Sequence, residues 1–391
     1  MVYFKFSADK LFDGTQFLEN KVLITDAEGT IKDVVAKADA GEDIQYFKGI
    51  LLPGLVNGHC HLELSHLKDV IPPHTGLIDF LCSVVTKRGF DPAIIQEKIQ
   101  QAEEEMFNNG IVAVGDIGNT ADTAAVKKSS KLYWQNFVEV LSFTDEKSNE
   151  NVKHYLQVKN DLNQQLASST TSFRSSLVPH APYSISPNTF TQINELTKGE
   201  IISIHNQEHP AENHLYQSGN GEYLRFFKIF GIENSPFPIT GQTSLRSVLP
   251  YFNNGQTIFL VHNTSTTEED IIWANDYAHK FGIKLVYCIC INANLYIENK
   301  VPPIDLLIKH NCQIVIGTDS YSSNWQLSIA SEIHAIQKHF PHLSLEKILG
   351  WATKSGASAL AWENSLGSFQ TGKKPGLTLL DVENGVSQKL K

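Results

Sequence analysis

Apolar and polar positions follow two rhythms along this chain. From Met1 to about Phe47 the runs VYFKF, VLIT and IKDVVA alternate at period two and are broken by Asp-Gly and Glu-Gly turn signals, which predicts a small antiparallel sheet. From Ile50 onward the rhythm changes, and short apolar runs alternate with helix-like segments. Helical periodicity is clear in PAIIQEKIQQAEEEMFNNG, with Gly110 as a stop before the next apolar run. The strand candidates are ILLPGLVNGHCHLEL, IVAVGDIGNT, WQNFVEVLSF, SFRSSLVPHAPYSIS, EIISIHNQEH, QTIFLVHNT, KLVYCICIN and CQIVIGTDSYSSN. Eight β/α alternations predict an α/β fold in which parallel strands close into a (β/α)8 TIM barrel with its site at the carboxyl ends of the strands. A doubly wound open sheet is the alternative, but no Gly-rich dinucleotide fingerprint follows any of these runs. No internal repeat stands out.

The barrel reading predicts that chemistry-bearing residues follow the apolar runs, and several do. The stretch Ile50 to Leu64 reads as one buried strand whose exit carries His59 and His61, two apart and therefore aimed to the same side. Strand four ends in Pro179-His180-Ala181-Pro182-Tyr183, strand five in His205-Asn206-Gln207-Glu208, strand six in His262-Asn263 and strand eight in Asp319-Ser320. An isolated H-x-H pair is more often a packed or solvated pair of histidines than half a metal site. Further donors at other strand ends change that balance. His66, His74, His209 and His214 lie near these motifs, but their spacing does not fit.

Composition narrows the classes of function. A chain of 391 residues with 41% hydrophobic content can bury a large core. Its net charge of -10 argues against general affinity for nucleic acid or anionic membrane. No leader pattern opens the sequence, and no apolar run approaches the roughly 20 residues needed to span a bilayer. The expectation is a soluble cytoplasmic protein. The five cysteines, Cys60, Cys82, Cys288, Cys290 and Cys312, are scattered and read as reduced thiols in apolar segments.

Taken together, PGLVNGHCHLE, VPHAPYSIS, HNQE, LVHNT and GTDSYSSN resemble the motif series of the amidohydrolase superfamily. The similarity is to the branch of cytosine, guanine and S-adenosylhomocysteine deaminases and chlorohydrolases, and most of all to the aminodeoxyfutalosine-deaminase-like group. It covers nearly the whole chain. It implies a small β-sandwich built from both chain ends, residues 1–50 and 366–391, beside a metal-dependent barrel at 51–365. The closing GSFQTGKKPGLTLLD stands where the family has a G-x-L-x-x-G-K-x-A-D-L sequence.

The resemblance also implies roles. His59, His61, His205 and Asp319 would hold one divalent ion, zinc by default, with iron(II) or manganese compatible with the same ligands. Asp319 would accept a proton from the attacking water, Glu208 would carry one to the ring nitrogen and the departing amine, and His262 would steady the tetrahedral centre. Strand four carries no lysine to bridge two metals, so the expected site is mononuclear. Candidate substrate contacts are His180, with a turn role beside Pro179 and Pro182 as the alternative, Glu63, Asn294, Arg225 and Trp325. After strand seven the relatives' C-P-x-S-N segment is here Cys290-Ile291-Asn292-Ala293-Asn294, which leaves open how the far end of the substrate is read. The expected function is hydrolytic deamination of an amino-purine or related heteroaromatic, with aminodeoxyfutalosine as the sharpest guess. Ring-opening amidohydrolysis or chlorohydrolysis would use the same site, and a catalytically silent barrel serving as an interaction protein is the alternative of another class. A homo-oligomer is compatible with the resemblance, although no residue marks an interface.

Overall fold

The computed structural model describes residues 2–391; Met1 lies outside them. Five strands open the chain: β1 (Tyr3–Phe12), β2 (Phe17–Leu18), β3 (Lys21–Asp26), β4 (Ile31–Ala36) and β5 (Ile44–Pro53). They form a sheet with β14 (Leu377–Asp381) and β15 (Val386–Lys389), in the order β15-β14-β5-β1-β3-β4, with β2 hydrogen-bonded to β1. Both ends of the chain therefore share one sheet. Its pairing is mixed, because β1 and β5 run parallel. The expectation of a purely antiparallel sheet is corrected there, since the segment between β1 and β5 holds a hairpin pair that lets β5 return beside β1 in the same direction. Phe6, Leu11, Leu23, Ile31, Leu51, Phe369 and Leu377 make its separate small core.

The stretch Ile50 to Leu64 is not one strand. It breaks at Gly54, with Ile50–Pro53 ending β5 in the mixed sheet and β6 (Leu55–Cys60) beginning a second one. A Cβ at Gly54 would lie 2.2 Å from Val112 Cγ1 and 2.6 Å from Pro375 O, so only glycine allows the chain to cross between sheets here.

The other seven apolar runs all become strands: β7 (Ile111–Gly118), β8 (Tyr133–Val140), β9 (Phe173–Pro179), β10 (Ile201–Asn206), β11 (Thr257–His262), β12 (Lys284–Ile289) and β13 (Gln313–Ile316). They pair in parallel as two four-stranded sheets, β6-β7-β8-β9 and β10-β11-β12-β13. Helices pack between successive strands. One of them, Pro92–Asn108, is the helix expected from its periodicity; the Asp91 side chain accepts from Ala93 N, and proline occupies its first turn.

Main-chain hydrogen bonds cross both seams between the two parallel sheets. His205 N donates to His180 O at 3.0 Å, and on the other side Thr318 N and Asp319 N both donate to His59 O at 3.0 Å. The second seam depends on Gly317, where a Cβ would sit 2.8 Å from His59 Cβ. The strand ends that carry the motif residues are thereby brought next to one another.

Candidate active site

Three imidazoles meet where the strand ends converge. His59 lies at the end of β6, His61 in the turn that follows, and His205 near the end of β10. His61 Nε2 is 3.2 Å from His59 Nε2 and 3.3 Å from His205 Nε2. Burial pushes all three imidazoles below their usual pKa, His59 and His61 well below it; charge repulsion from His205 adds to the shift at His59, while Asp319 offsets part of it at His61 and His205. They are neutral at pH 7. His205 Nδ1 stands 2.7 Å from the His180 carbonyl, which can only accept, so its proton is on Nδ1 and its Nε2 lone pair points to the centre.

Converging lone pairs call for a cation. Tetrahedral coordination at ordinary zinc–nitrogen lengths places nitrogens roughly 3.3–3.4 Å apart, which matches the observed spacing. Asp319 Oδ1 completes the set at 3.7 Å from His59 Nε2 and 3.5 Å from His61 Nε2. These residues fit a divalent ion, and their N₃O donor set suits zinc, iron(II) or manganese.

Around this centre the acid and base groups differ in their environments. Burial works against ionisation of Asp319, but the surrounding His61 and His262 and the Ser323 hydroxyl, which donates to Oδ2 at 2.6 Å, hold its pKa below the usual value. Glu208 goes the other way. Burial, reinforced by Asp319, Glu212 and Glu298, pushes its carboxyl well above the usual range, which favours its protonated form. His262 Nε2 lies 3.6 Å from Glu208 Oε1, and burial lowers this imidazole to about 3. Asn294 Nδ2 stands 3.4 Å from His262 Nδ1 and donates to Thr264 Oγ1 at 2.7 Å. An amide N–H facing Nδ1 leaves the imidazole proton on Nε2, toward the centre.

These groups form one wall of a cavity that opens to solvent. His61, His180, His205, Glu208, His262, Asp319 and Glu63 all line it. Glu63 is already saturated: Oε2 accepts from Asn119 N, Thr120 N and Thr120 Oγ1, and Oε1 is 3.5 Å from Arg88 Nη2. Three expected substrate contacts sit elsewhere among the described residues. Asn294 stands behind His262 rather than on the cavity wall. Arg225 points outward to Asp79, 2.9 Å away on the helix Leu77–Lys87, and both are exposed. Trp325 is 49% exposed and packs edge-on against Tyr296. Proximity in sequence to a motif did not give their direction. Conversely, Glu139, Arg88 and Asn119 line the cavity without having been singled out. Glu139 and Asn119 were findable, since they stand at or just past the ends of β8 and β7, two strand ends that carried no expected site residue.

The sequence profile of the amidohydrolase family matches residues 50–390. The chain belongs to the amidohydrolase family. Among curated relatives, this amidohydrolase is 26% identical over 370 residues to aminodeoxyfutalosine deaminase of a Nitratiruptor species, covering 93% of this chain and 86% of that one. It is also 26% identical over 344 residues to an adenosine deaminase of Helicobacter pylori, covering 86% and 80% of the two chains. Among solved structures, Helicobacter pylori aminofutalosine deaminase in complex with methylthio-coformycin superposes with a TM-score of 0.80 at 24% identity, over 96% of this chain and 91% of that one. An adenosine deaminase from Xanthomonas campestris with bound zinc gives 0.74 at 22% identity, over 97% and 84%. At these identities the structural likeness concerns the fold.

Proposed function

We propose that this amidohydrolase is a metal-dependent hydrolytic deaminase of adenine-like substrates, with aminodeoxyfutalosine as the sharpest single candidate. One observation carries the reading: three neutral Nε2 atoms and the Asp319 carboxylate converge at metal-ligand spacing beside Glu208, a carboxyl whose burial favours the protonated form. The names of the relatives at 26% identity point to the same reaction class. Intact donor and proton-shuttle positions weigh against a silent scaffold. In this reading the two parallel sheets are halves of one (β/α)8 barrel that begins after the break at Gly54, rather than at the expected 51, and runs to 365. The preceding residues and 366–391 form the accompanying β-sandwich. The resident ion is zinc by preference, held by His59, His61, His205 and Asp319.

When bound, such an ion lowers the pKa of a coordinated water toward neutrality. The chain's own groups then divide the proton traffic. Asp319, ionised, accepts a proton from the attacking water. Glu208, protonated, gives its proton to the ring nitrogen beside the attacked carbon, which removes charge that would otherwise build up there. The His262 Nε2–H hydrogen-bonds the oxygen that adds to that carbon. Glu208, now ionised, takes the remaining hydroxyl proton and passes it to the amine, which leaves as ammonia while the ring keeps the oxygen; the proton held by Asp319 then returns to Glu208 and resets both carboxyls. Water and the amino-heterocycle thus give ammonia and the oxo-heterocycle in balance.

The test is ammonia release by zinc-loaded protein from aminodeoxyfutalosine, adenosine, 5′-methylthioadenosine, S-adenosylhomocysteine, guanine and cytosine. Release from adenine nucleosides is expected, and silence on all six from protein holding one metal per chain refutes the deaminase reading.

A further inference from the structure

Glu139 is an acidic group in the cavity wall with a buried oxygen left without a hydrogen-bond partner among the described residues. Its side chain is only 7% exposed, and the unpartnered atom is Oε1. A buried acceptor left without a donor is destabilising, so such an atom facing a cavity marks a place where a ligand supplies the donor. Two local explanations fail. Glu139 Oε1 is 3.9 Å from His205 Nδ1, but that nitrogen already gives its proton to His180 O at 2.7 Å. The Asn119 side chain hydrogen-bonds the Glu139 carboxyl yet leaves Oε1 without a partner, while Glu63 holds the neighbouring Arg88 at 3.5 Å and takes the backbone donors of residues 119 and 120.

The position along the cavity says what the missing donor belongs to. Glu139, Leu141 and Phe143 are spaced two apart as the chain leaves β8, and all three line the cavity. Glu139 stands beside His205 at the reacting end, whereas Phe143 meets Phe230, with ring centres 4.8 Å apart, toward the mouth. The buried donor therefore sits between the reacting ring and an apolar far end. His180, whose Nδ1 is tied to Ser184 Oγ at 2.7 Å, has a ligand atom within 4.8 Å of one on Glu139, so two neighbouring hydroxyls could be read together.

We propose that Glu139 accepts a hydrogen bond from a hydroxyl of a sugar attached to the reacting ring, making it a specificity-determining residue that selects a nucleoside over the free base. The inference rests on the deaminase reading above. In either protonation state Glu139 retains an acceptor oxygen, so the contact does not depend on its charge.

The experiment compares adenine, adenosine and 2′,3′-dideoxyadenosine as substrates of the zinc-loaded wild type, Glu139→Gln and Glu139→Ala, with metal content and Tm measured on each protein. Wild type is expected to prefer adenosine to both other compounds. Glu139→Ala should lower kcat/KM for adenosine about 10- to 100-fold, mainly through KM, and leave dideoxyadenosine within about twofold, with Glu139→Gln intermediate because it keeps one acceptor. An equal loss on all three substrates would assign Glu139 a structural role and overturn the proposal, as would a wild type that takes adenine as well as adenosine. Two metals per wild-type chain falling to one in Glu139→Gln would overturn it in favour of a second ion held by Glu139 and His180. Silence of the metal-replete wild type on all three compounds would remove the deaminase reading itself, a result distinct from activity without discrimination.

Discussion

Four non-glycine residues at the tips of the parallel strands hold left-handed backbones: Gln207 at φ 44°, His262 at 74°, Asn263 at 60° and Asp319 at 58°. Each such residue costs about 1–3 kcal/mol, and here the turn swings a strand's last side chains toward the shared centre. Gln207 separates His205 from Glu208 and lets both face the cavity. Because Glu208 carries the proton in the proposed cycle, Glu208→Gln should retain one metal per chain while lowering kcat about 10²- to 10⁴-fold, read by metal analysis and ammonia release. Unchanged turnover in that variant would remove Glu208 from the mechanism. At this scale the metal-donor residues were legible because their types and strand-end positions restrict the chemistry. The surroundings were not. Whether Arg225 reaches substrate or Asp79 depends on how the helix Tyr223–Lys228 packs against Leu77–Lys87, and no local pattern around Arg225 encodes that.

Between residues and molecule stand the elements that hold the tips in place. The helix Pro210–Ser218 brings Glu212, fully buried, under the end of β10, where its Oε1 accepts from Gln207 N at 2.8 Å and Ser244 Oγ at 2.5 Å while Oε2 has no hydrogen-bond partner among the described residues. Burial raises this carboxyl from 4.5 to about 7. A folded pKa above the unfolded one means that the stability it contributes is complete below pH 4.5 and is lost as pH rises through about 7. Thermal unfolding should show stability falling by roughly 3 kcal/mol across that window from this group alone, and Glu212→Gln should flatten the slope. At the crossing between sheets, Gly54→Ala should lower the free energy of unfolding by about 1–3 kcal/mol, read from denaturant titration, with kcat unchanged, because Val112 and Pro375 O must move aside. Element identity was readable from periodicity in all eight parallel strands. The break at Gly54 was not, because the atoms that forbid a side chain there come from β7 and from the far end of the chain.

For the whole molecule, the metal is expected to act as part of the fold as well as of the chemistry. The proposed donors come from strands in both parallel sheets and from the turns that follow them, so a bound ion would tie the two sheets together at their carboxyl ends. Chelation should abolish ammonia release and lower Tm, and zinc should restore both; an ion at a hundred times its Kd stabilises by about 2.7 kcal/mol. A Tm indifferent to chelator would show that the histidine cluster does not hold a stoichiometric ion. The order of elements was legible at this scale because a repeated β/α rhythm leaves few topologies. The parallel pairing of β1 with β5 was not, since strand direction depends on a return path that alternation alone does not specify.

That mixed sheet also sets a schedule for synthesis. β5 pairs with β14, Leu51 opposite Leu379, so one edge of an early strand waits for a partner made near the end of translation. While the ribosome extends the chain through both parallel sheets, that edge offers unpaired N–H and C=O groups to any neighbouring nascent chain. Slow passage through the intervening codons prolongs this exposure, and a chaperone that shields an extended edge would protect this protein most between the emergence of β5 and the arrival of β14.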